Sequence, residues 1–227
     1  MKLLVSDYDD TIKVMTFLGN ERIPKGTIKN INDFRNKGNK FMIATARTYK
    51  SIMYEVEYYS IPYDYISCLN GADIYDKDGL IYSKDMIELN IEKLKKIYSC
   101  IYKIEQFKEK DKTLYYYVYI KLLESSKRII EYLKSVNVCI KSYFFHKLNI
   151  VSPMSDKVDS IRFIQDLLEI NDNDVITVGD GINDASMIEN YYSYGIIKLF
   201  PNKDVLKNCD KKVKSLKWPY PTWYGTP

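Results

Sequence analysis

Lys2-Leu3-Leu4-Val5-Ser6-Asp7-Tyr8-Asp9-Asp10-Thr11 begins as a short apolar run and ends in three carboxylates and a hydroxyl. A run of this kind, broken abruptly by polar residues, reads as a buried strand over Lys2 to Ser6. Asp7 and Asp9 lie two residues apart in extended backbone, so both side chains can project to one side. Open α/β sheets bind ligands just beyond the carboxyl ends of their strands. Two close carboxylates there are costly unless a cation or a reaction needs them. An acidic loop solvated at the surface is the other reading of the same residues.

Outward from this run the pattern repeats. Thr27 to Lys37 carries Ile28, Ile31 and Phe34 at spacings of three and is followed by Gly38, an amphipathic helix with a glycine stop. Phe41 to Ala44 is a second buried strand, ending at Thr45. Ser51 to Tyr59 is a helix halted before Pro62, and Tyr65 to Leu69 is a third strand ending at Asn70-Gly71. Strand, helix, strand, helix, strand predicts a parallel, helix-flanked sheet. The rhythm then changes. Asp76-Lys77-Asp78-Gly79 between two short apolar runs signals a hairpin. Beyond it the spacing predicts a helix over Ile87 to Ile104, a strand over Leu114 to Ile120, a helix over Ser125 to Val136, and strands over Val138 to Phe145 and Leu148 to Val151. From Val158 the first pattern resumes, with a helix through Leu168, a strand over Val175 to Val178 and a helix from about Asp184; Gly195-Ile196-Ile197 and the region of Val213 suit edge strands. The expected organisation is a core of residues 1–74 and 153–227, interrupted by an α+β module over 75–152.

The 227 residues, 46% hydrophobic and 28% charged, suit a soluble chain able to bury roughly 70% of its unfolded surface. No apolar stretch approaches the roughly 18 residues of a membrane span, and no signal-peptide stretch follows Met1. Cys68, Cys100, Cys139 and Cys209 have no paired spacing, which fits free thiols in a cytoplasmic protein. The net charge of +4 is too mild to argue for nucleic acid. Residues 75–152 hold 15 Lys and Arg against 10 Asp and Glu. That basic segment suits an anionic small molecule or simply a solvated lysine-rich surface. A single histidine, His146, excludes chemistry that needs two, as in most zinc hydrolases. Proton transfer must fall mainly to carboxylates.

Further groups sit at strand ends. Gly179-Asp180-Gly181-Ile182-Asn183-Asp184 places two acids four apart at a strand-to-helix junction, with Asp184 a natural helix cap. The spacing does not fit an EF-hand calcium loop. Thr45-Ala46-Arg47 offers a hydroxyl and backbone N–H groups suited to phosphate. Lys157 stands at a helix start, where the macrodipole disfavours a cation.

Taken in order, Asp-x-Asp-x-Thr at Asp7 to Thr11, Thr45, Lys157 and Gly-Asp-x-x-x-Asp at Gly179 to Asp184 resemble the haloacid dehalogenase-like (HAD) superfamily of phosphohydrolases. The position of the insert resembles the type IIB branch, the Cof-like sugar-phosphate phosphatases. The likeness covers everything except the tail. It implies an α/β fold with a Rossmann-like parallel-sheet core and an inserted α+β cap domain. It implies Asp7 as nucleophile, forming an aspartyl-phosphate, and Asp9 as general acid and base. Mg²⁺ would be held by Asp7, the Asp9 backbone carbonyl and Asp180, supported by Asp184. Thr45 and Lys157 would hold phosphoryl oxygens, with Ala46, Arg47 and Asn183 beside the substrate. The implied activity is Mg²⁺-dependent hydrolysis of a small phosphorylated metabolite, with sugar phosphates as the leading class, by a cytoplasmic monomer or homodimer. A phosphomutase of the phosphomannomutase type and a non-catalytic phospho-ligand sensor are the alternatives.

Some residues depart from that pattern. Asp10 stands where the family most often has glycine, which adds charge and leaves the geometry of the turn open, although Asp tolerates left-handed geometry better than most residues. Ala46 and Val158 also replace frequent glycines. In the cap, His146 reads as an ordinary strand residue in preference to a substrate contact. Tyr115, Tyr116, Tyr117 and Tyr119 could stack on a sugar ring, but alternation favours cap packing. The tail Trp218 to Pro227 suits an extended segment, packed on the core or at an oligomer contact.

Overall fold

The computed structural model describes residues 1–15, 20–84, 88–109, 112–121, 129, 131–133, 139–144, 147–151, 156–198 and 202–214. His146, the tail from Trp218 and most of the helix expected over Ser125 to Val136 lie outside these residues. In chain order the elements are β1 (Leu3–Ser6), β2 (Val14–Met15), β3 (Glu21–Arg22), α1 (Thr27–Arg35), β4 (Lys40–Ala44), α2 (Tyr49–Tyr59), β5 (Tyr65–Cys68), β6 (Asp73–Tyr75) and β7 (Leu80–Ser83). Then come α3 (Ile91–Ile97), β8 (Ile101–Glu109), β9 (Lys112–Ile120), β10 (Cys139–Phe144) and β11 (Lys147–Val151). The chain continues through α4 (Lys157–Leu168), β12 (Val175–Gly179), α5 (Ala185–Asn190), β13 (Tyr192–Ile197), α6 (Lys203–Asn208) and β14 (Lys211–Lys214).

Eight strands form one sheet in the order β14-β13-β12-β1-β4-β5-β6-β7. From β14 to β5 every pairing is parallel. β1 and β12 are apolar without alternation because both their faces are covered; Leu3, Val5, Val175 and Ile176 are fully buried. The chain runs from β1 outward through β4 to β5, then returns to place β12 on the other side of β1. That reversal makes the β1/β12 pair a topological switch point, where the carboxyl ends of neighbouring strands leave a crevice.

The chain divides into two compact units, Met1–Ile81 with Asp156–Pro227, and Tyr82–Ser155. The sequence-based boundaries at 74/75 and 152/153 therefore sit inside the first unit and the second, respectively. The hairpin after Asp73 accounts for the first difference. β6 pairs antiparallel with β5, and β7 follows it as the sheet's last strand. Its turn is closed by the Asp76 carboxylate, which accepts from the N–H groups of Asp78 at 2.8 Å and Gly79 at 3.0 Å. A hairpin signal fixes a turn and says nothing of the sheet that its strands extend.

The second unit carries a four-stranded antiparallel sheet, β10-β11-β9-β8. The helix expected through Ile104 ends at Ile97, and Ile101–Glu109 is strand. Apolar residues at Ile91, Leu94, Tyr98 and Ile101 continue a helical spacing, but from Ile101 the chain pairs along nearly the whole of β9. A non-local ladder decides what local periodicity leaves ambiguous. Along β9 the alternation is as expected of a packing strand. Tyr116, Val118 and Ile120 join Leu94, Ile101, Ile129, Leu133 and Leu148 in a buried cluster. Tyr115, Tyr117 and Tyr119 lie on the opposite face, where Phe107 stacks on Tyr115 with ring centroids 4.6 Å apart. No described helix is long and apolar enough to cross a membrane.

Candidate active site

β1 delivers Asp7 and β12 delivers Asp180 to the same end of the sheet, one residue beyond each strand. The Asp7 N–H donates to the Val178 carbonyl at 2.9 Å, continuing the ladder and fixing where the carboxylate starts. Lys157, the first residue of α4, is fully buried and sits between two acids. Its Nζ donates to Asp7 Oδ1 and to Asp184 Oδ1, each at 2.6 Å. Asp156 caps the helix by accepting from the Val158 N–H at 3.0 Å, which sets the first turn that aims Lys157 inward.

The Asp184 side chain, read from the sequence as a helix cap, makes no cap bond to α5. Its Oδ2 reaches back to the preceding loop, accepting from the N–H groups of Asp180 at 2.9 Å and Gly181 at 2.8 Å. Gly179 makes room for it, because a Cβ there would stand 2.7 Å from the Asp184 carboxyl carbon. Asp180 Oδ1 accepts the Thr11 hydroxyl at 2.7 Å, and its Oδ2 accepts from the Lys198 ammonium. Lys198 also holds Asp10 Oδ2 at 3.0 Å, and Asp10 adopts a left-handed backbone, with φ 58°.

Asp7, Asp180 and Asp184 are all buried, and each offers a carboxylate oxygen within 4.8 Å of the others. Burial, followed by the negative charge of Asp184, holds the Asp7 carboxyl well above its ordinary value, and the Lys157 ammonium only partly offsets this. Burial likewise raises the Asp180 carboxyl, against the opposing pull of Lys198. For Lys157 burial favours the neutral amine, but Asp184 and Asp7 outweigh it and keep the group charged. The cluster is thus strained toward taking up positive charge. Its hard, all-oxygen donor set fits a magnesium ion.

Asp9 is separate from this cluster. Half exposed, its carboxylate is turned to Arg47, which donates from Nε at 2.9 Å and from Nη2 at 2.7 Å. Arg47 lies over the Tyr8 ring, 5.1 Å from its centroid, and donates from Nη1 to Glu55 at 3.1 Å. Glu55, on α2, also accepts from Lys13 at 2.9 Å and from the Tyr8 hydroxyl at 2.9 Å. Thr45 is buried at the end of β4, its Oγ1 accepting the Arg47 N–H at 3.1 Å, whereas Ala46 is exposed. Asn183 donates to Asn70 at 3.2 Å, tying the loop after β12 to the loop after β5. In that loop Gly71, at φ 105°, is indispensable, since a Cβ would meet the Asp156 carbonyl oxygen at 2.1 Å.

The structure therefore gathers Asp7, Lys157, Asp180 and Asp184 into one cluster and sets Asp9 with Arg47 beside it. Lys198 was missed by sequence reasoning. A lysine after a short apolar run is unremarkable locally; only the parallel pairing of β13 with β12 places it by Asp180.

The family model of haloacid dehalogenase-like hydrolases matches residues 4–119 and 92–214. The chain belongs to that family. An uncharacterized protein of Mycoplasma capricolum is 24% identical over 251 residues, covering 91% of this chain and 94% of that one. Among solved structures, a sugar phosphatase of HAD subclass IIB superposes with a TM-score of 0.75 at 18% identity, covering 95% and 94% of the two chains. A HAD-superfamily phosphatase of Bacteroides thetaiotaomicron gives 0.73 at 17% identity, over 94% and 90%. The α/β fold with its mostly parallel core sheet is shared with this subclass.

Proposed function

We propose that the chain is a Mg²⁺-dependent phosphatase of small phosphate esters, with sugar phosphates as the leading substrate class. The observation that carries the reading is Lys157, buried without exposure and shared at 2.6 Å between Asp7 and Asp184. A fully buried ammonium between two carboxylates is a costly arrangement for stability alone, because replacing such groups with apolar ones is often neutral or favourable. A reaction that brings a dianionic phosphoryl group against a carboxylate accounts for it. That a similar fold belongs to a sugar phosphatase supports the substrate class.

Asp7, Asp180 and the Asp9 carbonyl would hold the magnesium ion, with Asp184 in support. Bound there, the ion offsets phosphoryl charge and so lets an anionic nucleophile approach an anionic ester. Lys157 holds the Asp7 carboxylate in place, and an Asp7 oxygen attacks phosphorus in line with the departing ester oxygen. Asp9 turns from Arg47, takes up a proton from solvent and gives it to that oxygen, and later takes one back from the water that cleaves the aspartyl-phosphate. The Thr45 hydroxyl, the Arg47 guanidinium and the Ala46 N–H hold phosphoryl oxygens, while Asn183 borders the ester. The inserted unit Tyr82–Ser155 would serve as the cap, to which the choice of leaving group would fall.

The test is phosphate release from a panel of sugar phosphates, nucleotides and an aryl phosphate, with Mg²⁺ and with EDTA. Metal-dependent release is expected. Isomerised sugar phosphate without free phosphate would show a mutase instead, and ligand binding without turnover would show a sensor.

A further inference from the structure

The arrangement around Asp180 goes beyond what a magnesium ligand requires. Both of its oxygens are engaged by this chain's own groups, Oδ1 by the Thr11 hydroxyl and Oδ2 by the Lys198 ammonium. The two cations of the cluster differ in kind. Lys157 is enclosed, with no exposed side-chain surface and both partners buried. Lys198 approaches from the solvent side, with 27% of its side chain exposed, and spans from an enclosed carboxylate, Asp180 at 4%, to an open one, Asp10 at 43%. Lys157 cannot leave without stranding two buried acids. Lys198 can leave Asp180 and keep a partner, because Asp10 already holds the same Nζ at 3.0 Å.

We propose that Lys198 is the resident counter-ion of the metal site: its ammonium occupies Asp180 until a divalent cation displaces it onto Asp10, so that the Asp10–Lys198 pair sets the affinity for Mg²⁺. The inference rests on the metal site proposed above. Its physical basis is a competition between like charges for one carboxylate oxygen. A doubly charged ion gains more from Asp180, Asp7 and Asp184 together than a single ammonium does, and so it displaces Lys198. Yet it must work against that ammonium, and its affinity is lower by the strength of the Lys198–Asp180 pair. Asp10 weakens the opposition by holding the displaced ammonium away. Without Mg²⁺, Lys198 relieves part of the repulsion among the three acids, and the empty site stays folded.

The two partners therefore act in opposite directions. Lys198→Met should bind Mg²⁺ at least about fivefold more tightly, as expected for removing a competing charge near a protein surface. It should also melt earlier than wild type in EDTA but not in saturating Mg²⁺. Asp10→Asn should bind Mg²⁺ about threefold or more weakly, because Lys198 loses its second partner. The double variant separates this from simple loss of a nearby negative charge. With Lys198 absent, Asp10→Asn should change Mg²⁺ affinity much less than it does alone. Lys198→Gln, which keeps a donor but no charge, should shift affinity in the same direction as Lys198→Met and covers the case in which the methionine variant fails to fold.

The experiment is isothermal titration of Mg²⁺ alone into the chelator-treated full chain and the variants, with melting measured alongside. Tighter binding by the Lys198 variants, with non-additive coupling to Asp10, supports the proposal. Unchanged or weaker binding by those variants overturns it and leaves the metal site standing. Additive effects of the two positions overturn the displacement onto Asp10. Absence of Mg²⁺ binding by wild type overturns the metal site itself and the inference with it.

Discussion

The two units use their strands differently. In the first, β1 and β12 are buried on both faces, Asp7 and Asp180 lie just past their ends, and Lys157 and Asp184 stand at helix starts. The cluster is joined by bonds between residues far apart in sequence, such as Lys157 to Asp7 and Thr11 to Asp180. In the second, β9 splits its residues by face. Tyr116, Val118 and Ile120 pack, and Tyr115, Tyr117 and Tyr119 line the other side. One region concentrates unlike charges where water is excluded, and the other spreads neutral aromatic surface over a sheet. Substitutions should therefore separate chemistry from packing according to the unit they touch.

The most severe single change is expected at Lys157. Lys157→Met leaves Asp7 and Asp184 buried without their shared cation, which should cost about 3–5 kcal/mol of stability in EDTA. Phosphate release should fall by about three orders of magnitude as transition-state stabilisation is lost. Denaturant unfolding and a phosphate assay check the two effects. Within the second unit, Tyr116→Ala should cost about 3–5 kcal/mol by emptying the centre of its cluster. Hydrogen exchange should quicken in β8, β9 and β11 while protection in β1 and β12 and Mg²⁺ affinity stay as they were. If β1 and β12 lose protection equally, the two units do not behave as separate cores.

Asp9→Asn sharpens the contrast within the first unit, because Asp9 stands outside the buried cluster. Turnover should drop about 10²-fold or more. Mg²⁺ affinity should be kept, and stability should change by less than about 1 kcal/mol, as for an exposed ion pair. Full activity in this variant would remove the proton-transfer role.

The smallest effect concerns Asp64, which stitches α1 to β4. Its carboxylate accepts from Arg35 Nε at 2.7 Å and from the Phe41 N–H at 3.0 Å. Burial alone would raise this carboxyl, but Arg35 and the backbone bond outweigh it and hold it below its ordinary value. A depressed carboxyl contributes stability above its unfolded value, and the contribution disappears as pH falls through the folded one. Asp64→Asn should therefore cost about 1 kcal/mol near neutral pH. The cost should vanish in acid below that window, as measured by unfolding across a pH series.

How much of this the sequence discloses follows from the same contrast. Asp7, Lys157, Asp180 and Asp184 are legible because each follows or opens an element whose limits are marked by apolar runs and turn residues, and because their order resembles a known family. The Arg47–Glu55–Lys13–Tyr8 network is not legible, since Glu55 reaches it from the middle of α2 and no spacing in the chain announces that. Lys198 depends on strand order, which periodicity does not contain. The first residues of β8, Ile101 to Ile104, fall within the expected helix because Ile91, Leu94, Tyr98 and Ile101 satisfy a helical period, and only pairing with β9 overrules it. The face of β9, by contrast, follows directly from alternation.

The central claim is that Asp7 takes the phosphoryl group during turnover. The direct measurement is rapid acid quench of the protein with Mg²⁺ and its best ester, followed by mass spectrometry of the peptide containing Asp7. The account predicts a transient phosphoryl adduct on Asp7 that decays as phosphate appears and is absent in Asp7→Asn. Steady turnover with no adduct on Asp7 at any quench time, or undiminished turnover by Asp7→Asn, would contradict it.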